Sequence, residues 1–182
     1  MNRIAKALIA LSTTLLISNT SIAATADGTL GATSTGTADV TMSIGEQFQI
    51  SNMAAFSFGS WSGSGDLSSN NDLCVYHNGD GSYKVTVSDD STLSTGFAVE
   101  NSTDSFEIPY SVALNDETGT VNALAVVHSV ATVAQSGANT TSVDCSVGGN
   151  SANLSVTIAE AELSAAPAGD YDSQITIMID PD

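Results

Sequence analysis

The chain has 182 residues, about the size of one domain, and its 20 acidic residues against 3 lysines and arginines give a net charge of −17 at pH 7. A surface this acidic repels nucleic acid and anionic lipid, so the composition argues against both as partners. With so few cations, salt bridges can contribute little to the stability of the fold.

The first residues have the pattern of a secretory signal peptide. Two basic residues precede an apolar run from Ala7 to Ile17, and Ser21-Ile22-Ala23 has the small-residue spacing that signal peptidase accepts. The run is too short to span a bilayer comfortably, so we predict a cleaved signal peptide over residues 1–23; a single membrane anchor is the alternative. Cleavage would leave Lys84 as the only lysine or arginine.

Residues 24–37 are small, polar and rich in Gly, Thr and Ser, so this segment alone cannot bury enough apolar surface to fold. In an extended conformation the even-numbered residues would lie on one narrow, weakly apolar face, made of Ala24, Ala26, Gly28, Leu30 and Ala32. We therefore separate an N-terminal extension, 24–37, from a single domain over 38–182.

Stronger strand signals follow. Val40, Met42 and Ile44 alternate with polar residues, and Phe48 and Ile50 continue the pattern. The composition of residues 59–72 predicts a loop, after which the Asn-Gly and Asp-Gly pairs of residues 78–81 predict a hairpin between the flanking apolar stretches. Additional strands are expected at 97–99, 106–114, 124–133, 143–147 and 154–158, with one helical turn within 159–166.

The last sixteen residues, PAGDYDSQITIMIDPD, predict a strand with one buried face, because Tyr171, Ser173, Ile175, Ile177 and Ile179 share one parity. Many short strands separated by turn residues indicate an all-β immunoglobulin-like sandwich of about seven strands. Cys74 and Cys145 form an even pair, which in an exported protein predicts one disulfide.

Sequence motifs of catalysis, nucleotide binding and metal binding are missing. His77 and His128 have no nucleophile at a recognisable spacing, so we interpret both as structural. Acidic pairs such as Asp89-Asp90 and Asp116-Glu117 could bind calcium, but solvated turn carboxylates are the preferred interpretation. We expect no enzymatic activity, no cofactor and no metal.

The terminal strand raises the question of what pairs with its second edge, since exposed edges promote association. Residues 24–37 could fold back on their own domain. Alternatively, that segment of one copy could fill the gap in the next copy, which is donor-strand complementation. Donor and acceptor are then different surfaces, so the contact is head-to-tail and produces a filament.

Three stretches carry a family resemblance: Phe56-Ser57-Phe58-Gly59, the segment CVYHNGDGSYKVTVSD at 74–89, and Pro167-Ala168-Gly169-Asp170-Tyr171 before the terminal strand. Together they resemble bacterial pilins of the chaperone–usher pathway, most closely the spore coat protein U-like subunits of the archaic branch. The resemblance implies an incomplete immunoglobulin-like sandwich that is completed by donor-strand complementation. A periplasmic chaperone would lend a strand, and an outer-membrane usher would exchange it for the next subunit's N-terminal extension.

The sequence departs from this family in two ways. Subunits of this kind often have a cysteine near the mature N-terminus, whereas the first cysteine here is Cys74. The donor segment has Leu30 as its only large apolar residue, and alanines contribute far less on burial than larger side chains. The donor register could therefore shift to Val40, Met42 and Ile44, the fibre could be weaker, or the chain could be a subunit that does not polymerise.

The resemblance leads to the expectation of a fimbrial subunit that is exported through the periplasm to the cell surface, forms a homopolymer, and serves adhesion or biofilm formation by contacting a host or surface receptor. In its acceptor groove the terminal strand would contribute Tyr171, Ile175, Ile177 and Ile179. The alternative is a self-complemented secreted adhesin or carbohydrate-binding sandwich that uses Trp61, Tyr76 and turn carboxylates. A secreted hydrolase on a sandwich is the third and weakest reading.

Overall fold

The computed structural model describes residues 26–92, 96–103 and 105–182. The signal peptide predicted for residues 1–23 and the donor residue Ala24 lie outside these ranges. The chain divides into two units, Met1–Ile44 and Gly45–Asp182, which are described separately below. The domain boundary predicted after residue 37 stays a prediction.

The regular secondary structure described in the second unit is almost entirely β-strand. In its described part it contains eight strands and one short helix: β1 (Phe48–Ser51), β2 (Leu67–His77), β3 (Lys84–Asp89), β4 (Phe97–Glu100), β5 (Glu107–Asn115), β6 (Leu124–Ala125), β7 (Ala152–Ile158), α1 (Glu160–Ala165) and β8 (Ile175–Asp180). The all-β fold class predicted from the sequence is confirmed.

The strands form two antiparallel sheets. The larger has the order β1-β2-β7-β5-β4, with β6 also pairing with β5, and the smaller consists of β3 and β8. Long-range pairing dominates, since β7 lies between β2 and β5 although some 75 residues separate β2 from it. The core is formed by alternating residues of both sheets, with Val85 and Val87 of β3, Val112 and Leu114 of β5, and Leu154 and Val156 of β7 at its centre.

The predicted hairpin is wrong. Strands do flank the Asn78–Gly81 turn, but β2 pairs with β1 and β7, whereas β3 pairs with β8. The turn therefore carries the chain from one sheet to the other. Glycines and asparagines in a turn indicate that the chain reverses, and they do not specify which strands become neighbours.

The predicted loop at 59–72 is also too long, because β2 begins at Leu67. Its polar first half is a strand because its side chains find partners on neighbouring elements. Ser68 lies 3.0 Å from the Thr157 hydroxyl, and the buried amide of Asn153 donates to Asn70 at 3.0 Å and to Asp72 at 2.7 Å. Polar residues with such partners fit a strand as well as apolar ones do.

Two of the expected strands are largely irregular in the structure. In the 124–133 stretch only Leu124–Ala125 is a strand, and the chain then runs along β3, where Ser129 and Thr132 donate backbone hydrogen bonds to Val87 and Val85. The 143–147 stretch forms turns, with Cys145 at a φ of +54°. Most valines of these two stretches are exposed, such as Val127, Val133 and Val143, whereas Val126 is buried in the core.

The predicted disulfide joins Cys74 of β2 to Cys145, across a sequence separation of 71 residues. Asn139 organises the loop that carries Cys145. Its side-chain amide donates to the Val147 carbonyl at 2.7 Å, and its side-chain oxygen accepts the backbone N–H groups of Thr141 and Ser142. The disulfide therefore ties a preorganised loop to β2, the second strand of the larger sheet.

Alkaline unfolding is expected to depend on Tyr83. Its hydroxyl is buried without a hydrogen-bond partner, and burial, together with the negative charge of Asp116, raises the pKa of the phenol above its usual value of 10. Because the folded-state pKa is raised, the resulting stability is fully present below pH 10 and is lost as the pH rises above it. Tyr83→Phe should leave the free energy of unfolding at pH 7 unchanged or raise it by up to about 1 kcal/mol. It should also preserve more of that free energy at pH 11, as measured by urea denaturation.

Tyr76→Phe is the matched control, since Tyr76 is only half-buried on β2. Equal losses of stability at pH 11 in the wild type and Tyr83→Phe would contradict the assignment.

The described part of the first unit, residues 26–44, contains one isolated antiparallel bridge. Ala26 and Thr37 exchange two backbone hydrogen bonds, of 3.4 and 2.9 Å, and bends follow at residues 30–33. The large apolar side chains of residues 26–44 are exposed, at 106% for Leu30, 96% for Val40, 84% for Met42 and 73% for Ile44. Residues 26–44 thus present apolar side chains without burying them in a core.

Candidate functional site

Strand β8 has one paired edge and one open edge. It pairs with β3 from Lys84↔Asp180 to Asp89↔Ile175, and no strand among the described residues pairs with its other edge. The side chains alternate as the sequence predicts. The half-buried residues share the inner face and are Tyr171, Ser173, Ile175, Ile177 and Ile179. The residues between them, from Asp172 through Met178, are exposed. A strand with an apolar face and an unpaired edge can accept another strand.

The segment Met53–Gly59 lies across from the start of β8. It is not part of a strand, and within it Phe56 and Phe58 are half-buried against the core while their neighbours are exposed. The Asn71 side chain fixes this segment by donating a 2.9 Å hydrogen bond to the Ala54 carbonyl. Gly59 ends the run with a φ of +67°, a conformation that favours glycine.

A groove of about 590 Å³ lies between the segment Met53–Gly59 and the start of β8. Its floor is apolar and comes from three strands, with Val99 of β4, Tyr110 of β5, and Val156 and Ile158 of β7. One wall is Met53–Gly59, and the other is Tyr171–Ile175. An apolar cleft that begins at the unpaired edge of β8 has a shape into which a β-strand can fit. Just before β8 the backbone is already bonded, since Asp172 pairs with Glu100 of β4.

The turn before β8 explains the Pro-Ala-Gly-Asp-Tyr motif. Tyr171 donates its hydroxyl to the Pro167 carbonyl at 2.8 Å, which closes the turn and places the tyrosine ring in the groove wall. Gly169 lies against the side-chain amide of the buried Asn101, so a Cβ at this position would collide with that amide. The motif therefore shapes one end of the groove, which is a physical reason for its residue types.

A buried carboxylate supports the groove from behind. The side chain of Asp89 is fully buried, and its Oδ2 accepts hydrogen bonds from the Ala98 backbone at 2.8 Å and the Tyr110 hydroxyl at 3.0 Å. Its Oδ1 lies 3.0 Å from the Ser91 hydroxyl and 3.2 Å from His128 Nε2. Burial raises the pKa of Tyr110, so its hydroxyl stays protonated and donates to this carboxylate.

Asp89 and its neighbour also position the wall of the groove. The Tyr110 hydroxyl lies 3.3 Å from the Ser173 hydroxyl, and Asp90 accepts the Gln174 backbone N–H at 2.6 Å. The interpretation of Asp89-Asp90 as solvated turn carboxylates is therefore wrong for Asp89. The sequence could not reveal this, because Tyr110 and His128 are 21 and 39 residues away along the chain.

The predicted site residues fall into three groups. Tyr171 and Ile175 line the groove, and Ile177 and Ile179 continue the same face of β8 against the core. In the N-terminal extension, Ala26 pairs with Thr37, while Gly28, Leu30 and Ala32 lie in the loop that this bridge closes. Sequence reasoning missed the groove floor, since residues such as Val156 and Ile158 show only the ordinary pattern of a buried strand.

The other candidate contacts are placed as follows. Trp61 donates its indole N–H to the Gly65 carbonyl at 2.9 Å, within its own loop. His77 is buried and stacks on Phe48, and His128 contacts the edge of Phe97. The described ranges contain no cluster of three or more His, Cys, Asp or Glu that could hold a metal ion. They also contain no helix that is long and apolar enough to cross a membrane.

No protein-family model matches the chain, and no curated protein matches it in sequence. The fold is similar to a chain of the chaperone–tip adhesin complex of CFA/I fimbriae biogenesis, with a TM-score of 0.52 and 19% identity over 75% of this chain. The match spans 41% of that protein, which is less than half of its length.

Two further structures are of CfaE, the adhesive subunit of the CFA/I fimbria of enterotoxigenic Escherichia coli. The first has a TM-score of 0.46 and 18% identity over 64% of this chain and 36% of CfaE. The second, a point mutant of CfaE, has a TM-score of 0.48 and 16% identity over 75% of this chain and 43% of the mutant. The likeness to the first complex establishes the fold that the sequence predicted, an immunoglobulin-like sandwich.

Proposed function

We propose that the protein is a structural, non-enzymatic subunit of a bacterial surface fimbria and that its groove accepts a β-strand from another copy. The observation that carries this proposal is the open edge of β8 beside an apolar groove of about 590 Å³. A strand inserted there would form main-chain hydrogen bonds along β8 and place alternate side chains on the floor. The fold it shares with a chain of a chaperone–tip adhesin complex supports the same reading.

The donor is part of residues 24–44 of a neighbouring copy, which we call the N-terminal arm. Within the arm, residues 38–44 fit the role better than residues 24–37. Val40, Met42 and Ile44 are alternate, large and exposed, so an extended arm presents them on one face. Burying each of them contributes about 1.5–3 kcal/mol. The 26–37 stretch is closed by the Ala26–Thr37 bridge and offers only Leu30 as a large side chain.

Assembly of this kind implies the partners and the location of the protein. An open apolar groove needs cover before polymerisation, so the subunit requires a periplasmic chaperone that lends a strand and an outer-membrane usher that exchanges it. The path starts with export directed by residues 1–23 and ends in a homopolymeric fibre at the cell surface. There the fibre serves adhesion or biofilm formation.

Paired substitutions in the arm test the donor. Met42→Asp should abolish polymers, because a carboxylate cannot enter an apolar groove without a cost of several kcal/mol, or more than about 100-fold in affinity. Leu30→Asp is the matched control and should leave polymers intact. Polymers are measured by size-exclusion chromatography and electron microscopy of material sheared from cells that express the chain with a chaperone and an usher.

The outcomes separate the alternatives. Loss of polymers with Leu30→Asp alone would assign the donor to residues 24–37. Polymers in both variants would refute donor-strand assembly. A monodisperse wild-type chain that folds without a chaperone would favour a self-complemented secreted adhesin.

A further inference from the structure

The turn between β2 and β3 is bonded to the chain just before β1. Asn78 accepts the Gln47 backbone N–H on its side-chain oxygen at 2.8 Å and donates its side-chain amide to the Gly45 carbonyl at 3.0 Å. Its own backbone N–H donates to the Gln47 carbonyl at 3.2 Å. One exposed asparagine thus holds three polar groups of the segment Gly45–Gln47, which we call the arm root.

Buried contacts fix this asparagine in turn. The neighbouring His77 is 2% exposed, and its ring stacks on Phe48 with centroids 4.3 Å apart. His77 Nδ1 accepts the Gly81 backbone N–H at 3.2 Å, so the turn closes over the imidazole. A Cβ at Gly79 would lie 2.7 Å from His77 Nε2, which means that only glycine fits directly after Asn78. The turn is therefore a rigid support, and Asn78 is its point of attachment to the arm root.

Two residues of the turn have different partners. Asp80 already stabilises the turn, since it accepts the Ser82 backbone N–H at 2.8 Å, an interaction that also lowers the pKa of Asp80. Asn78 instead bonds to residues more than 30 positions earlier in the chain. Those residues directly follow Ile44, the last large apolar side chain of the arm.

We propose that Asn78 is a positioning residue that anchors the root of the N-terminal arm, so that the arm leaves the sandwich from a fixed point. This inference rests on the proposed function. If residues 38–44 insert into the next copy, only a few residues separate the inserted strand from the anchor. The anchor then limits how far successive subunits can rotate and shift relative to one another, and it sets the regularity of the fibre.

Amide hydrogen exchange on the purified full chain tests the anchor. In the wild type the Gln47 amide should be protected. In Asn78→Ala it should exchange about tenfold faster, because the variant loses both side-chain hydrogen bonds. Asp80→Ala is the matched control, since it weakens the same turn without touching the arm root, and it should leave Gln47 protection within about twofold of the wild type. Urea denaturation of both variants measures the change in global stability.

A second readout is the fibre itself. Electron microscopy of Asn78→Ala fibres should show at least a twofold wider spread of subunit-to-subunit rotation than wild-type or Asp80→Ala fibres. The anchor is overturned if Gln47 exchanges in the wild type as fast as in an unstructured peptide, or if Asp80→Ala accelerates it as much as Asn78→Ala does. Equal fibre regularity in both variants overturns the geometric role. A chain that forms no fibres at all refutes the proposed function, and the exchange experiment still decides whether Asn78 anchors the arm root.

Discussion

Removal of the Cys74–Cys145 disulfide, by reduction or by replacing both cysteines with alanine, is expected to lower the free energy of unfolding by about 4 kcal/mol. The two cysteines are 71 residues apart, so the cross-link greatly restricts the unfolded chain, and the chain-entropy model gives a value of this size. Domains of this kind have total stabilities of about 5–15 kcal/mol, so the loss amounts to a large share. Equilibrium urea denaturation with and without a reductant measures it.

Chemical reduction and the double alanine variant both remove the cross-link, and comparing them separates its effect from that of the sulfur atoms. Reduction leaves the packing around the buried Cys74 almost unchanged, whereas the double alanine variant also removes two sulfur atoms. Close agreement between them would assign the effect to the cross-link. A loss below about 1 kcal/mol by both routes would contradict the prediction. It would mean that the cross-link restricts the unfolded chain far less than the chain-entropy model assumes.

The sequence predicts the strands better than it predicts their neighbours. Period-two patterns identified β8, and hydrophobic runs located β4, β5 and β7 to within a few residues. The pairing of β2 with β7 depends on side chains far apart in sequence, such as Ser68 with Thr157, and local patterns contain no information about it. The turn at Asn78–Gly81 was located correctly and assigned to the wrong topology for the same reason.

The candidate site divides in the same way. Alternation along residues 171–179 and the Pro167–Tyr171 motif predict one wall of the groove. The floor could not be predicted, since Val99, Tyr110 and Val156 come from three separate strands that only the fold brings together. The buried position of Asp89 was hidden as well, because its sequence context, an acidic pair before a polar stretch, is typical of an exposed turn.

Asp89→Ala is expected to cost about 3–5 kcal/mol of unfolding free energy, because removing one partner of a buried polar network leaves the others without compensation. Three donors would lose their acceptor, namely the Ala98 amide, the Tyr110 hydroxyl and the Ser91 hydroxyl, and His128 would lose its contact with the carboxylate. A buried donor that cannot reach water or another acceptor destabilises the folded state. Urea denaturation measures the total, and hydrogen exchange at the Ala98 amide reports on the local network.

Asp90→Ala is the matched control, since it removes the same charge one position along the chain. Asp90 is exposed and accepts a single backbone hydrogen bond, from Gln174, so this variant should lower the free energy of unfolding by no more than about 1–1.5 kcal/mol.

Because Tyr110 and Ser173 line the groove, Asp89→Ala should also weaken the binding of a synthetic peptide that spans residues 36–46 at subunit concentrations where the variant stays folded. Equal losses of unfolding free energy in Asp89→Ala and Asp90→Ala would mean that Asp89 behaves as a surface carboxylate. Unchanged peptide binding in a destabilised Asp89→Ala variant would mean that this carboxylate stabilises the core but has no role in peptide binding by the groove.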